Sequence, residues 1–147
     1  MYNRRRRKLY LAACFHRREE MRKIREALWR IGYDVLSSWL DEVADPGDLT
    51  RGEKAAIAEK CRFEIERVSV VVCFIHPLTK DCIASCGHQV EFGFALAKGK
   101  QLISVGSATR NIFHEDWRVR QFATIEAFLA AAELWKNFLP PPESLAK

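Results

Sequence analysis

The sequence predicts an α/β protein with a doubly wound, mostly parallel sheet of four to five strands flanked by helices. Short apolar segments alternate along the chain with longer segments whose apolar residues recur at helical spacing. Such alternation is typical of parallel strands joined by crossover helices. Residues 68–75 are almost wholly apolar, as expected for a strand that helices cover on both faces.

The first third of the chain predicts a strand, a helix and a second strand. Residues 8–14 are apolar on both faces and indicate a central strand, while residues 17–31 repeat apolar side chains at helical spacing. Gly32 fits the position after the last helical turn, and residues 33–37 predict a short second strand. A unit of this length implies a parallel strand pair with a right-handed crossover.

A long connection at 38–52 follows the second strand, and its sequence Asp45-Pro-Gly-Asp48 is typical of a turn. Connections of this length are often lids or binding loops. Trp39 leaves two interpretations open, because its indole either packs beneath the loop or stacks on a planar ligand.

The second half of the chain predicts three helices and three strands, an order found in flavodoxin-like and Rossmann-like folds. Helices are expected at 51–67, 87–98 and 124–139, the last capped by Thr124, and strands at 68–75, 101–105 and, at the sheet edge, 119–122. The spacing predicts these inward-facing residues, helix by helix: Ile57, Ala58, Cys61 and Ile65; Val90, Phe94 and Ala97; Ile125, Phe128, Leu129, Ala132 and Trp135.

Length and composition indicate one globular domain over residues 1–147, with a basic tail at 1–7 and a proline-rich tail at 140–147. The longest apolar run, 70–75, is far too short to cross a bilayer, and the basic start lacks a credible signal-peptide cleavage site. The basic cluster at 4–8 accounts for the whole net charge of +5, and no recognition-helix pattern accompanies it. A nucleic-acid or membrane partner is therefore not expected.

The five cysteines are odd in number and include no Cys-x-x-Cys pair. This pattern predicts free thiols in a reducing compartment, and hence a cytoplasmic protein. Cys82, Cys86 and His88 lie close together in sequence, but their spacing matches no standard zinc site. We therefore expect neither a metal nor another cofactor.

Ligands of open α/β sheets bind at the carboxyl ends of the strands. After the first strand this edge receives His16 and Arg17. After the third strand it receives Ser85 and Gly87, directly before a helix whose N–H groups suit a phosphate, and Glu91 in the first turns of that helix. Each of these residues also has an ordinary structural explanation. His16 and Arg17 can be solvated surface residues, Ser85 can cap the helix, and Glu91 can be a solvated residue of the first turns that the helix dipole stabilises.

Two segments carry a resemblance to a known family. Tyr10-Leu-Ala-Ala-Cys-Phe15 resembles the Tyr-Leu-Ala-Gly-Pro-Phe opening of nucleoside 2-deoxyribosyltransferases. Glu91-Phe-Gly-Phe-Ala-Leu-Ala-Lys-Gly-Lys100 is similar to their Glu-x-Gly-x-Ala-x-Ala-x-Gly-Lys segment, and the related 2′-deoxynucleoside 5′-monophosphate N-glycosidases share this plan. The resemblance covers roughly residues 8–130. It implies cleavage of the N-glycosidic bond of a (deoxy)nucleoside or its 5′-monophosphate, by hydrolysis or deoxyribosyl transfer.

The resemblance also assigns roles to individual residues. Glu91 is the implied nucleophile at the anomeric carbon, where the departing base leaves oxocarbenium-like charge, and Tyr10 is implied to orient it. Family members pair through their helices, so a homo-oligomer is expected. The implied substrate contacts are His16, Arg17, Ser85 and Gly87 at a phosphate, Trp39 in the loop that covers the base, and Ala12, Phe15 and His88 elsewhere in the pocket.

Two departures from the family pattern bear on catalysis. Cys61 stands where the pattern has an aspartate on the second helix, and Ala13 replaces a glycine of the first loop. Glu64 shares the helix face of Cys61, because it lies three residues further on. It is either the missing acidic partner or an ordinary solvated residue of the helix. Asp81, in the loop after strand three, is another candidate proton donor.

The leading hypothesis is hydrolysis of a nucleoside 5′-monophosphate, because the basic residues after strand one and the Ser85-x-Gly87 turn suit a phosphate. Cys61 motivates a second hypothesis, a non-catalytic nucleotide-binding or sensing protein of the same fold. A third is an NAD-cleaving domain related to the Toll/interleukin-receptor type, which also uses a helix-borne glutamate, although its surface motifs are not apparent in this sequence.

Overall fold

The computed structural model describes residues 6–75, 86–106 and 111–138. In these residues strands and helices alternate as the sequence predicts, and the fold class is confirmed. The elements are β1 (Arg7–Ala12), α1 (Arg18–Ile31), β2 (Tyr33–Val35), α2 (Arg51–Glu66), β3 (Val70–Phe74), α3 (Gly87–Ala97), β4 (Gln101–Val105), β5 (Val119–Phe122) and α4 (Ile125–Phe138).

The five strands form one sheet in the order β2-β1-β3-β4-β5, and all neighbouring pairs are parallel. Helix α1 packs against α4, and α2 packs against α3. The Tyr33 hydroxyl donates to the Ala132 carbonyl at 2.8 Å, and the Phe74 ring meets the Phe128 ring edge-on at 6.1 Å, so α4 covers β2 and β3 on one face. Helices α2 and α3 cover the opposite face.

Strand β3 is buried along its whole length, which confirms the prediction from its apolar sequence. Strands β1 and β2 are shorter than predicted. Strand β1 ends at Ala12 because the Arg17 N–H donates to the Cys14 carbonyl and closes a short 3₁₀ helix. Strand β2 ends at Val35, and the buried Ser37 hydroxyl beyond it accepts from the Leu11 N–H at 2.7 Å.

The ends of α1 and α2 have well-defined caps. Gly32 follows α1 with a φ of 115°, in the left-handed region that the predicted cap position requires. A capping box, which the sequence reading missed, begins α2: the Thr50 side chain accepts from the Glu53 N–H, and the Glu53 carboxylate accepts from the Thr50 N–H. Ala58 is exposed, so its predicted inward position is wrong.

The inward face of α3 differs from the prediction. Val90 is 73% exposed and Ala97 is also exposed, so only Phe94 of the predicted set is partly buried. The reason is helical phase, since the face that packs on the sheet repeats at the spacing 0, 3, 4 and 7. That face consists of His88, Glu91, Phe92 and Ala95.

The end of the fold follows the prediction closely. Strand β5 forms the sheet edge at the predicted residues. The Thr124 hydroxyl accepts from the Ala127 N–H at 3.1 Å and caps α4, while Phe128 and Ala132 are buried. In the part of the chain that the structure describes, no helix combines the length and apolarity that a membrane crossing requires.

Candidate active site

The site lies where the chain reverses its direction across the sheet. Strands β1 and β3 are neighbours, but the chain continues from β1 to β2 on one side and from β3 to β4 on the other. Such a switch point opens a crevice at the carboxyl ends of the two strands. Tyr10 of β1 and Cys73 of β3 lie on the same face of the sheet, because Cys73 pairs with Ala12, two residues after Tyr10. This face is the one toward α3, since Tyr10 bonds to Glu91 of that helix.

Glu91 is held directly by Tyr10. The Tyr10 hydroxyl donates to Oε1 of Glu91 at 2.8 Å, although the two residues are 81 positions apart in sequence. Tyr10 is completely buried, and Glu91 is partly buried on the inner face of α3. The structure thus brings together two residues to which the resemblance assigns a nucleophile and its orienting partner.

The protonation of Glu91 is strongly affected by its surroundings. Burial raises the pKa of Glu91 to about 7, opposed by the hydrogen bond from Tyr10 and by the neighbouring Cys61 thiol, and the nearby Glu64 carboxylate raises it further. Burial, followed by the charge of Glu91, also raises the pKa of the Tyr10 hydroxyl well above its ordinary value. Tyr10 therefore remains a neutral hydrogen-bond donor. A carboxyl that titrates near neutrality in a crevice is typical of a functional site.

Glu64 faces the same crevice from α2. Its Oε2 accepts from the Ser38 backbone N–H at 3.1 Å, which joins the helix to the segment after β2. Its charge contributes to the raised pKa values of both Glu91 and Cys61. The candidate acidic partner therefore lies close enough to Glu91 to interact with it electrostatically.

Trp39 packs beneath its loop. The ring is 6% exposed, its Nε1–H donates to the Leu11 carbonyl at 2.9 Å, and it lies 6.4 Å from the Phe15 ring. Of the two interpretations that the sequence left open, packing describes its position. Phe15 is partly buried, and the Arg18 guanidinium lies over its ring at 4.5 Å.

The predicted phosphate contacts after β1 have different surroundings. His16 is exposed, whereas Arg17 makes a two-pronged ion pair with Glu20 at 2.5 and 2.9 Å. A further N–H of Arg17 donates to the Ile75 carbonyl at 3.4 Å, so the guanidinium reaches from the end of β1 to the end of β3. Ala12 is fully buried.

The start of α3 holds two more of the predicted contacts. Gly87 is exposed in its first turn, and His88 is buried on the same helix face as Glu91. The His88 ring bonds to the Gln89 side chain through Nε2 at 3.1 Å. Ser85 and Asp81 lie outside the described residues, and so does Cys82.

A buried polar network, which the sequence reading missed, ties α3 to the segment after β4. His114 is completely buried, its Nδ1 bonds to the Ser104 hydroxyl, and its Nε2 bonds to Oε1 of Gln89 at 2.8 Å. Asn111 donates to the same Gln89 oxygen at 3.0 Å. Burial lowers the pKa of His114 to about 4, so its ring is neutral at physiological pH. The network fixes the helix that carries Glu91.

The described cysteines form no disulfide: Cys14, Cys61 and Cys73 are buried, and Cys86 is exposed. Among the residues that the structure describes, no cluster of three His, Cys, Asp or Glu side chains has the geometry to hold a metal ion.

The family model of nucleoside 2-deoxyribosyltransferases matches residues 9–129, a span that contains the Tyr10–Glu91 pair and strands β2 to β5 with most of β1. The chain belongs to this family. Members of this family cleave N-glycosidic bonds or transfer the sugar between bases. No curated protein sequence is a significant match to the chain.

Two solved structures resemble this member of the deoxyribosyltransferase family in fold. One is the Clostridium botulinum CMP N-glycosidase BcmB, with a TM-score of 0.58 and 18% sequence identity, covering 87% of this chain and 99% of that protein. The other is a conserved protein from Enterococcus faecalis V583, with a TM-score of 0.57 and 14% identity, covering 88% and 99%. At these identities the likeness establishes the fold alone.

Proposed function

We propose that the protein hydrolyses the N-glycosidic bond of a (deoxy)nucleoside 5′-monophosphate, with Glu91 as the nucleophile. The observation that supports this most directly is the bond from the Tyr10 hydroxyl to Oε1 of Glu91 at the crevice between β1 and β3. In a family that acts on N-glycosidic bonds, a buried carboxylate held by a neutral donor suits attack on a sugar's anomeric carbon.

The reaction proceeds in two displacements. While Oε1 of Glu91 accepts the hydrogen bond from Tyr10, Oε2 attacks C1′. The C1′–N bond breaks, and its electron pair leaves with the base. The base takes up a proton from solvent or from an acidic side chain. Water then attacks C1′, the ester bond to Oε2 breaks, and the water proton passes to solvent. The products are the free base and (deoxy)ribose 5-phosphate, and the two displacements together retain the configuration at C1′.

Glu91 attacks only when it is ionised. Because its pKa is raised to about 7, the nucleophilic form increases as the pH rises through neutrality. The Tyr10 donor favours the ionised form, while the Glu64 charge opposes it. We expect the acid side of the pH–activity profile to lie near pH 7 for this reason.

Glu64 is our candidate for the second acidic group. The Ser38 N–H orients the Glu64 carboxylate at the crevice. From there the carboxylate can accept a hydrogen bond from a sugar hydroxyl and stabilise the positive charge that develops at C1′. Asp81 is a second candidate, as proton donor to the departing base. A carboxylate three residues from Cys61 compensates for the aspartate that the family pattern has at that position.

The phosphate is assigned to the ends of β1 and β3. Arg17 reaches this edge, as its bond to the Ile75 carbonyl indicates, and exchange of Glu20 for a phosphate would keep its guanidinium bonded to two anionic oxygens. Gly87 in the first turn of α3 and Ser85, two residues before it in sequence, are proposed to supply backbone N–H groups and a hydroxyl. His16 is proposed as a further cationic contact.

The remaining proposed contacts shape the pocket around the sugar and base. Trp39 contributes by supporting the loop that covers the base, since its buried ring holds that loop to β1. Phe15 packs beside it, Ala12 lines the end of β1, and His88 shares the face of Glu91.

The experiment incubates the full chain with nucleosides, nucleoside 5′-monophosphates and NAD, and measures free base by chromatography. Glu91→Gln should reduce base release at least about a thousandfold, because it removes the nucleophile but keeps an acceptor for Tyr10. Glu66→Gln is the matched control, since Glu66 lies on the exposed face of α2 in an ion pair with Lys98. Full base release by Glu91→Gln would eliminate the proposed nucleophile.

The same panel tests the other readings. The second candidate is a non-catalytic nucleotide-binding protein, which the cysteine at position 61 in place of an aspartate favours. Calorimetric binding of a monophosphate without base release would support this second candidate. Release of nicotinamide from NAD alone would instead support the NAD-cleaving hypothesis. A second free base, added to the assay as an acceptor, distinguishes transfer from hydrolysis.

We also infer a homo-oligomer, at least a dimer, in the cytoplasm. Trp29 is 57% exposed and Trp117 is 90% exposed, which leaves two apolar surfaces for self-association. Leu28, beside Trp29, is buried and belongs to the core instead. The four cysteines that the structure describes form no disulfide, which fits a reducing compartment.

A further inference from the structure

One backbone N–H sets the direction of the hydrogen bonds in the buried network at the start of α3. The Phe113 N–H can only donate, and it donates to the Asn111 side chain at 3.0 Å, so the accepting atom of that amide is Oδ1. The amide nitrogen of Asn111 therefore faces Gln89, at 3.0 Å. Because an amide nitrogen only donates, the Gln89 atom that it meets is the oxygen Oε1. The geometry thus fixes the orientation of both amides.

The position of the His114 proton follows from Oε1 of Gln89. Nε2 of His114 lies 2.8 Å from this oxygen, which only accepts, so Nε2 carries a proton. Nδ1 is then the acceptor of a neutral ring, and the Ser104 hydroxyl donates to it. The ring is completely buried and stacks on the Phe92 ring at a centroid distance of 4.1 Å. Burial lowers the pKa of His114 to about 4, which agrees with a neutral imidazole.

The chain of hydrogen bonds ends at His88. The Gln89 amide nitrogen lies 3.1 Å from Nε2 of His88, and because this nitrogen only donates, Nε2 is the acceptor. His88 is therefore also a neutral ring, with its proton on Nδ1. The chain runs in one direction, from Ser104 on β4 through His114 to Gln89, and then to His88 in the same first turn of α3. Hydrogen bonds aligned in this way strengthen one another.

We propose that Gln89 and His114 are positioning residues, which hold the first turns of α3, and with them Glu91, in place through this hydrogen-bond chain. The positioning role rests on the proposed function, whereas the two histidine tautomers do not. Glu91 lies two residues after Gln89 on the helix that the chain ties to β4, and its Oε1 accepts from Tyr10 at 2.8 Å. A displacement of about 1 Å can cost about a hundredfold in rate, so the position of α3 affects attack by Glu91 directly.

Apolar packing alone does not fix the rotation of α3 about its axis. The helix has apolar side chains on several faces, among them the buried Phe92 and the exposed Val90. Hydrophobic contacts are non-directional, whereas the hydrogen bonds of Gln89 require particular lengths and angles. The chain therefore distinguishes the observed rotation, which turns Glu91 inward, from one that turns Val90 inward.

The first test reads the tautomers directly, by long-range nitrogen-15 correlation NMR of the full chain labelled at its four histidines. His88→Phe and His114→Phe identify the two sets of ring resonances. At pH 7 the wild type should show a proton on Nε2 of His114 and on Nδ1 of His88. Gln89→Glu, whose carboxylate accepts but does not donate, should leave the His114 proton in place and give His88 a proton on Nε2.

The opposite tautomer at either histidine of the wild type would overturn the proposal. A doubly protonated His88 ring at pH 7 would overturn it as well, because such a ring does not accept from Gln89. The same holds for a Gln89→Glu variant in which Nε2 of His88 stays unprotonated.

Steady-state kinetics test the positioning role. His114→Phe keeps a ring against Phe92 but removes both hydrogen bonds, and it should lower kcat about tenfold or more while KM changes less than kcat. His114→Gln restores an amide donor toward Gln89, and its kcat should lie within about threefold of the wild-type value. Phe113→Ala is the matched control, because it removes an exposed side chain from the same 3₁₀ helix and leaves the chain intact.

An unchanged kcat in His114→Phe would refute the positioning role, and so would a His114→Gln variant that is equally impaired. If His114→Phe does not fold, Gln89→Leu takes its place, since it interrupts the chain at a partly exposed residue. Gln89→Leu should show the same loss of kcat, and a wild-type kcat in this variant refutes the role.

The two proposals fail in different ways. If the wild-type protein releases no base from any substrate, the proposed function fails, but the NMR spectra still decide the tautomers. Amide hydrogen exchange of α3 then decides whether the chain holds the helix, and it should be about tenfold faster in His114→Phe than in Phe113→Ala. If base release depends on Glu91 while kcat is indifferent to His114 and Gln89, the function stands and the positioning role is wrong.

Discussion

Replacing Glu91 with Gln should stabilise the folded protein above neutral pH while it removes the proposed nucleophile. Burial raises the pKa of Glu91 to about 7, whereas a glutamate in the unfolded chain titrates near 4.5. Between these values the folded protein binds the proton more tightly than the unfolded chain does. The free energy of unfolding therefore falls as the pH rises through this window, and the loss is complete above pH 7.

The size of this effect follows from the two pKa values. At about 1.4 kcal/mol for each tenfold difference in proton affinity, ionising Glu91 in the folded protein costs about 3 kcal/mol. The glutamine side chain of the variant is neutral at every pH and still offers an amide oxygen to the Tyr10 hydroxyl. The variant should thus match the wild type near pH 4 and exceed it by about 3 kcal/mol at pH 8, roughly 10 °C in Tm for a chain of this size.

Urea unfolding followed by circular dichroism, repeated at pH 4, 6 and 8, measures this difference. Glu66→Gln serves as the control, because its carboxylate is exposed in an ion pair with Lys98, and surface ion pairs contribute little to stability. A difference between Glu91→Gln and wild type that stays constant with pH would refute the reasoning. The reasoning would also be refuted if the free energy of unfolding of Glu91→Gln, taken relative to that of the wild type, were lower at pH 8 than at pH 4.

Two further predictions concern the substrate and the assembly. Arg17→Ala should raise KM for a 5′-monophosphate about tenfold or more but leave KM for the nucleoside within about twofold, because a charge-assisted contact to phosphate is lost. Arg18→Ala, which removes a guanidinium stacked on Phe15, is the control. Equal effects of Arg17→Ala on both KM values would argue against a phosphate contact. Light scattering should return a mass of at least two chains. Trp117→Lys and Trp29→Lys are made separately, and the variant whose mass falls to that of one chain identifies the self-association surface. A monomeric wild-type protein would contradict the oligomer proposal.

The order of elements is predictable because local signals agree along most of the chain. The unbroken apolar run of β3 requires cover on both faces, and α4 shows both its cap at Thr124 and its apolar stripe in sequence. Helix α3 is harder to orient from sequence. It is apolar on several faces, so the choice of Val90 as an inward residue is as consistent with spacing as the observed choice.

The inward face of α3 also affects how the site is understood. Glu91 shares the buried face with His88, Phe92 and Ala95, and a glutamate on such a face is rarely a solvated residue. Helical spacing counted from Glu91 as an inward residue would have predicted the correct face of α3. The position of Cys61 beside the site gives no such signal, because a cysteine on an apolar stripe normally indicates only core packing.

Periodicity and motifs within short segments suffice to predict the α/β class, the parallel sheet, the family resemblance and the candidacy of Glu91. The groups that surround that carboxylate follow from tertiary packing instead. Tyr10, Cys61 and Glu91 are brought together by the pairing of β1 with β3 and by the packing of α2 on α3, contacts between segments far apart in the chain. Burial at that convergence raises the Glu91 pKa to about 7, because desolvation depends on everything packed around a group and not on its neighbours in sequence.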